Sequence, residues 1–425
     1  MNDSTWKWVT LGTLFHIGAG KTMSAAAREG KERVPFLRTS NVFWDRIDLS
    51  NLDEMSIPAR ELVGKRVEPG DLLICEGGEI GRAAVWEGGV DVISFQNHLH
   101  RLRPKRGDVV PHFYVYFLQS AFTQLGIFEG AGNRTTIPNL SSGRLAALEV
   151  PHPSEEEQHA IVSALRAMRA SSTAHERLEK TATELKRSVM SALFTRGLRG
   201  EDAKETLVGV MPKSWEPRPL TALVTITSGG TPRKSVQHYW EGSIPWVSGK
   251  DLKRPELDDA QDHVTEEAVA AGSRLAPANA VLLLVRGMGL AKDLPVATIS
   301  RPMAFNQDVK ALVSRGEYSG RFLRAAIYAG KDRLLDQIVS SAHGTMTLNL
   351  HDVENMMIAC PGDPLEAEEI VKVLDTIESK IALHRRSEAV ATELFRSLLF
   401  KLMTHEAAVT DLDISAAQSI LGDAA

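Results

Sequence analysis

Two glycine-rich stretches, two distant cysteines and two histidine–glutamate pairs are the residues of this chain that could carry chemistry. GAGKT at 18–22 has the ending of a phosphate-binding loop, where a glycine-rich turn aims backbone N–H groups at phosphate oxygens. The full pattern needs a glycine five residues before Gly20, and Phe15 stands there. FEGAG at 128–132 has the F-x-G-x-G spacing of an S-adenosylmethionine loop. It follows a helix-like run instead of a first strand, and the chain holds no Asn-Pro-Pro-aromatic or Asp-Pro-Pro-aromatic segment for target-amine chemistry. No Pro-Asp with a spaced Glu-x-Lys supports nuclease chemistry, and the thirteen histidines form no H-E-x-x-H or Cys/His cluster for a metal. Cys75 and Cys360, in apolar strand-like runs, read as small buried hydrophobes in a reducing cytoplasm. His175 with Glu179, and His384 with Glu388, read as a polar layer fixing register between packed helices. The chemistry-bearing residues therefore point away from an enzyme.

The elements that would position such residues are duplicated. Sliding the chain on itself by 208–210 residues aligns it with itself nearly end to end. Trp6 falls on Trp215, and Leu11, Leu14 and Ile17 fall on Leu220, Leu223 and Ile226. VPFLRTSNV (34–42) meets IPWVSGKDL (244–252), PGDLLI (69–74) meets PANAVL (277–282), and FQNHL (95–99) meets FNQDV (305–309). TTIPNL (135–140) meets TMTLNL (345–350), and Thr183, Glu184, Leu185, Arg187 and Ser188 recur as Thr392, Glu393, Leu394, Arg396 and Ser397.

Each repeat changes character once. About 150 residues of short apolar runs broken by Gly, Pro and Asn read as strands and loops, with helices expected at 111–128 and 319–338. Pro153, an N-cap Ser154 and three glutamates then open a long helix, with Glu157 placed for a capping box. A counterpart opens near Pro364; forty residues make a rod of about 60 Å. Three- and four-residue steps place Ile161, Leu165 and Leu185 on the seam of the first rod and Ile377, Ile381 and Leu394 on that of the second. The expected fold is mixed α/β. Two tandem domains (1–152 and 201–363) are separated by long coiled-coil helices (153–200 with a connector, and 364–405), and an acidic tail (406–425) follows.

Composition adds limits without choosing a partner. With 425 residues, 43% apolar and 24% charged, the chain is globular and large enough for at least two domains. No run of about 18 uncharged apolar residues suggests a membrane span, and the start lacks a signal-peptide core, so a cytoplasmic protein is expected. The net charge of -5 is mostly the tail, where four acidic and no basic residues lie, and the body is close to neutral.

The ordered motifs SGGTP (228–232), IPWVSGKDL, PGDLLICEGGEIG (69–81), FNQDV, GNRTTIPNLS (132–141) and the proline–glutamate helix openings resemble the DNA-specificity subunits of type I restriction–modification systems. The resemblance covers about 1–405. Lys21-Thr22 in place of Gly-Thr, PANAV in place of Pro-Gly-Asp-Val, and LEAEE (365–369) without a Glu-Gln pair depart from the pattern. It implies two target-recognition domains, each reading half of a bipartite double-stranded DNA site and related by a pseudo-twofold through antiparallel packing of the two long helices. It also implies two docked methyltransferase subunits and separate translocase–nuclease (restriction) subunits. This chain would be non-catalytic and hold no cofactor, with S-adenosylmethionine, ATP and Mg in the partners. A stand-alone DNA-modifying enzyme and a coiled-coil adaptor that does not bind DNA are the alternatives.

Candidate DNA contacts lie in the repeat-equivalent polar loops. They are Arg38, Ser40 and Asn41 with Ser248 and Lys250; Gln96 and Asn97 with Asn306 and Gln307; and Asn133, Arg134 and Thr135 with Thr345. Lys21, Arg233 and Lys234 are candidates for phosphates. Base readers should differ between the halves, which adds Arg286, with Lys292, Glu76 and Arg82 as rivals.

Overall fold

A computed structural model describes residues 6–126, 140–340 and 345–411. FEGAG and Asn133, Arg134 and Thr135 lie outside the described residues, as do residues 412–425 of the acidic tail. The chain is mixed α/β and divides into two compact units, 1–176 with 385–425 and 177–384. Each unit therefore takes one α/β domain, half of the helix Glu155–Arg196 (the first rod) and half of the helix Pro364–Met403 (the second rod).

Both domains repeat one strand plan. In the first, Phe15–Ala19, Leu99–Pro104, Leu72–Cys75 and Ala83–Val85 form an antiparallel sheet in that order. A second sheet sets Arg33–Leu37 between Asp53–Ser56 and Ser94–Phe95. In the second domain Val224–Ser228, Val309–Ser314, Val281–Leu284 and Val296–Ile299 repeat the first sheet, and Ile244–Val247 with Asp262–Val264 and Met303–Phe305 repeats the second. Leu-, Ile- and Val-rich strands such as LLIC and VLLL are wholly buried, which explains their lack of alternation. The ends of each domain are stitched by a short antiparallel pair, Lys7–Thr10 with Glu149–His152 and Glu216–Pro219 with Met357–Cys360.

The rods are part of each domain's core. In the first unit Ile161, Leu165, Leu399 and Leu402 join Phe113, Tyr114 and Phe117. In the second, Leu193, Phe194, Ile370 and Leu374 join Trp215, Phe322 and Leu323. Burying each such side chain is worth about 1.5–3 kcal/mol, so rod and domain hold each other. Within each unit the segments run antiparallel: Ser172 meets Thr392 at 3.0 Å in the first. In the second, Lys186 meets Glu378 at 2.6 Å and the Leu198 N–H donates to Glu366 at 3.0 Å.

Three expectations need correction. Ile161, Leu165, Ile377 and Ile381 are buried, but Leu185 and Leu394 are 52% and 54% exposed. A four-residue step replaces the expected three at this point of each rod, so Lys186 and Phe395 take the inward positions. Helices of 3.6 residues per turn drift from a strict heptad, and a longer step restores the facing. The capping box at Ser154 is half made. Ser154 Oγ accepts the Glu157 N–H at 3.3 Å, while the Glu157 carboxylate takes the Trp6 indole N–H at 3.0 Å. The same bond recurs from Trp215 to Glu366 at 3.3 Å. The helix expected at 111–128 ends at Thr123, and that expected at 319–338 breaks at Gly330 into Gly320–Ala329 and Lys331–Leu335. A Cβ at Gly330 would stand 2.5 Å from the Arg333 guanidinium.

Candidate nucleic-acid interface

The polar loops scattered along the sequence converge in each unit at one end of the two sheets. In the first, Lys21 and Gln96 form a parallel bridge, Asn97 N–H donates to the Lys21 carbonyl at 3.1 Å, and Gln96 N–H donates to the carbonyl of Leu37 at 2.9 Å, just before Arg38. Arg82 joins them through the Thr39 carbonyl at 2.9 Å, and the Glu76 N–H reaches the His98 carbonyl at 2.9 Å. The second unit repeats this geometry. Asn306 N–H donates to Val247 at 3.0 Å, just before Ser248, and Gln307 accepts from Thr231 at 2.6 Å. Val285 N–H donates to Asp308 at 2.8 Å, and Arg286 bridges Thr347, two residues after Thr345.

This packing explains the glycines of GAGKT and SGGTP. A Cβ at Gly20 would come 2.2 Å from the Gln96 carbonyl oxygen, and one at its equivalent Gly229 would come 2.2 Å from that of Phe305. The glycines admit a crossing backbone and need no bound phosphate to explain them.

Several candidates are consumed by the fold. Asn41 is buried; its Oδ1 accepts the Arg38 N–H at 2.9 Å and its Nδ2 donates to the carbonyls of Asp48 and Asn51, each at 3.0 Å. Asp251 does the same work in the second unit, accepting from the Ser248 N–H at 2.9 Å and its hydroxyl at 3.0 Å. Asn41 and Asp251 are thus loop clasps, holding the Arg38 and Ser248 N–H groups, and their recurrence in both repeats reflects a shared fold. Lys21 is paired with Glu61 at 2.5 Å, Arg38 with Asp53 at 2.7 Å and Lys250 with Asp262 at 2.8 Å. Asn306 is buried, and its Oδ1 has no hydrogen-bond partner.

Other candidates stand open. Ser40 and Gln307 are exposed, and Gln96 and Asn97 are half-buried. Arg233, Lys234 and Arg286 are exposed, and among the described residues no ion pair or side-chain hydrogen bond ties them down. Such cations can neutralise phosphates without first breaking an internal contact. Thr345 makes contacts of its own.

Nothing else in the described residues suggests bond-making chemistry. Cys75 and Cys360 are buried thiols whose surroundings push them up to about 11 and about 12, values at which a thiolate nucleophile is scarce. Among the described residues no cluster of His, Cys, Asp and Glu could hold a metal, and no helix is long and apolar enough to cross a membrane. Sequence reasoning passed over the charged groups where each domain sits on its rods. There Asp45, Glu87 and His112 face Arg166 and Arg169 in the first unit, and Arg321 and Arg324 face Asp375 and Glu378 in the second. Their signal was the periodic placement of charge on the inner face of each rod.

Comparison with known proteins agrees with the duplicated architecture. The family model described as "Type I restriction modification DNA specificity domain" matches twice, over residues 3–184 and 212–393. A type I restriction enzyme specificity subunit of Escherichia coli is 33% identical over 153 residues, 36% of this chain and 38% of that protein. One from Methanocaldococcus jannaschii is 28% identical over 218 residues, 48% of each chain. The aligned part therefore spans about two fifths to one half of the length of these relatives. Among solved structures, the type I restriction-modification S subunit of M. genitalium superposes with a TM-score of 0.59 at 16% identity, covering 95% of this chain and 97% of its own. A chain from a structure on complex assembly and conformational transition of the type I R-M system gives 0.57 at 18% identity, covering 94% and 98%. At these identities the two structures establish the fold.

Proposed function

Because the chain belongs to the type I restriction modification DNA specificity family, we propose that it is the sequence-reading subunit of such a complex. It would bind double-stranded DNA at a bipartite target, each unit reading one half with the loops gathered at its sheet ends. The observation that carries this reading is the double convergence: two differing sets of polar loops, each assembled by the same strand plan. The halves of the target should then differ, because Val285 stands where the first unit has Glu76 and Pro295 where it has Arg82. Gln96, Asn97, Ser40, Gln307 and Arg286 are the proposed base-edge contacts, and Arg233 and Lys234 the phosphate contacts.

The chain itself would be non-catalytic. Two methyltransferase subunits would dock on the rods and supply S-adenosylmethionine chemistry, and restriction subunits would supply ATP- and Mg-dependent translocation and cleavage, all in the cytoplasm. The test is to co-express the chain with a methyltransferase partner and map modified bases across a genome. The expected result is one interrupted motif with two unlike halves and a constant gap, and no methylation by the chain alone. Methylation by the chain alone, or a partner whose target is unchanged by this chain, would overturn the proposal.

A further inference from the structure

Each domain sets an equivalent helix against its rods, and at the same two rod positions the charge is reversed: the domain meets them with acids from two loops, Asp45 and Glu87, in the first unit and with arginines of the helix in the second. The helices Pro111–Thr123 and Gly320–Ala329 start at repeat-equivalent residues, as do the two rods. In the first unit the rod supplies the cations. Arg166 lies 2.6 Å from Glu87 and 3.9 Å from Asp45, and Arg169 lies 3.8 Å from Asp45. In the second unit the equivalent rod residues are Asp375 and Glu378, and the domain supplies the cations: Arg321 is 2.9 Å from Asp375 and Arg324 is 3.1 Å from Glu378. The opposing rod is exchanged as well. Phe395 lies 4.8 Å beneath the Arg169 guanidinium, whereas its equivalent Lys186 sits 2.6 Å from Glu378.

We propose that these two junctions form a charge key that assigns each recognition domain to its own rod segments. A tandem repeat of like domains on like rods invites the wrong domain to seat. Were the second domain to seat on the first unit's rods, Arg321 and Arg324 would face Arg166 and Arg169. The first domain on the other rods would bring Asp45 and Glu87 onto Asp375 and Glu378. The side chains of Asp45, Arg324 and Glu378 are only 5%, 6% and 13% exposed, so water screens such clashes poorly. Correct seating is selected by repulsion at the wrong seat as much as by attraction at the right one. The key also states what a transplanted domain must carry: acids at the positions of Asp45 and Glu87 for the first seat, arginines at those of Arg321 and Arg324 for the second. None of this depends on what the domains bind.

The test uses the full chain and limited proteolysis. Asp375→Arg with Glu378→Arg is compared with the neutral pair Asp375→Asn with Glu378→Gln. Reversal is expected to speed cleavage within the second unit at least about tenfold beyond the neutral pair, and equal effects would overturn the key. The second arm replaces residues 216–360 with another copy of residues 7–151. On native rods this copy should be labile, and adding Asp375→Arg, Glu378→Arg and Lys186→Phe should restore protection by at least about tenfold. A copy equally protected, or equally labile, on both rods would show that charge does not select the seat.

Discussion

Replacing Gln158 with alanine should loosen the joint between the first recognition domain and its rod. The Gln158 side chain is fully buried; its Oε1 accepts the Val110 N–H at 2.9 Å, and its Nε2 donates to the carbonyls of Asp108 at 3.0 Å and Pro153 at 2.9 Å. It therefore ties the start of helix Pro111–Thr123 to the start of the first rod. At about 1 kcal/mol per buried hydrogen bond the three are worth about 3 kcal/mol. That corresponds to about a hundredfold faster hydrogen exchange at the Val110 amide, at 1.4 kcal/mol per decade. The repeat supplies an internal control, because the equivalent residue is Ala367, also fully buried, and there the Tyr318 hydroxyl donates to the Pro361 carbonyl at 2.6 Å. Ala367→Gln should overfill its site and cost about 1–3 kcal/mol, confined to the second unit. Peptide-resolved exchange on the full chain reads both. If Gln158→Ala changes exchange at Val110 less than about threefold, the clasp is not what holds this joint.

Ile377→Asp or Ile381→Asp should cost about 3 kcal/mol or more by burying a carboxylate, and reduce assembly with a methyltransferase subunit, while Leu185→Asp and Leu394→Asp should each change rod stability by less than about 0.5 kcal/mol. Chemical denaturation with a pull-down distinguishes them, and equal effects would return the seam to the strict heptad. Acid should weaken the first unit in particular: burial, then the Arg166 guanidinium, holds the His112 imidazole below its ordinary 6.5, against the opposing pull of Asp45 and Glu87. The unfolded chain then takes the proton first, so stability falls as pH drops from 6.5 towards the folded value and levels off beneath it. Glu87, held low chiefly by its hydrogen bond to Arg166, adds a loss of the same sign below its ordinary 4.5. Melting at about pH 7 and about pH 5.5 checks this, and a drop that persists undiminished in His112→Gln would refute it. Arg233→Ala and Lys234→Ala should each weaken DNA binding by the assembled complex. Each cation removed from a phosphate makes the log–log salt slope shallower by about 0.9, so an unchanged slope in both would exclude them from the phosphate interface.

The rods, the duplication and the strand-rich domains were legible because hydrophobic period and internal alignment report them directly. Trp6 and Trp215 aligned in sequence, and both proved to hold the carboxylate that opens a rod. Position within the repeat was a weaker guide to function. Asn41 and Asp251 are shared because both close the same loop, and a polar residue in a loop looks alike whether it faces solvent or a neighbouring carbonyl. Leu185 and Leu394 fitted the heptad, yet the drift of the helix placed the next residue inside. The junction charges were hidden for a related reason. Arg166 and Asp375 each look like a solvated rod residue until the domain that covers them is in place.

The modular reading of DNA is tested most directly by domain exchange. Residues 205–360 are replaced with the matching segment of a relative whose arginines at the two key positions are retained, and modified bases are mapped across the genome in cells that also hold the methyltransferase partner. One half of the interrupted motif should change while the other half and the gap between them persist. A simultaneous change in both halves would contradict the account and require the two domains to read DNA as one surface.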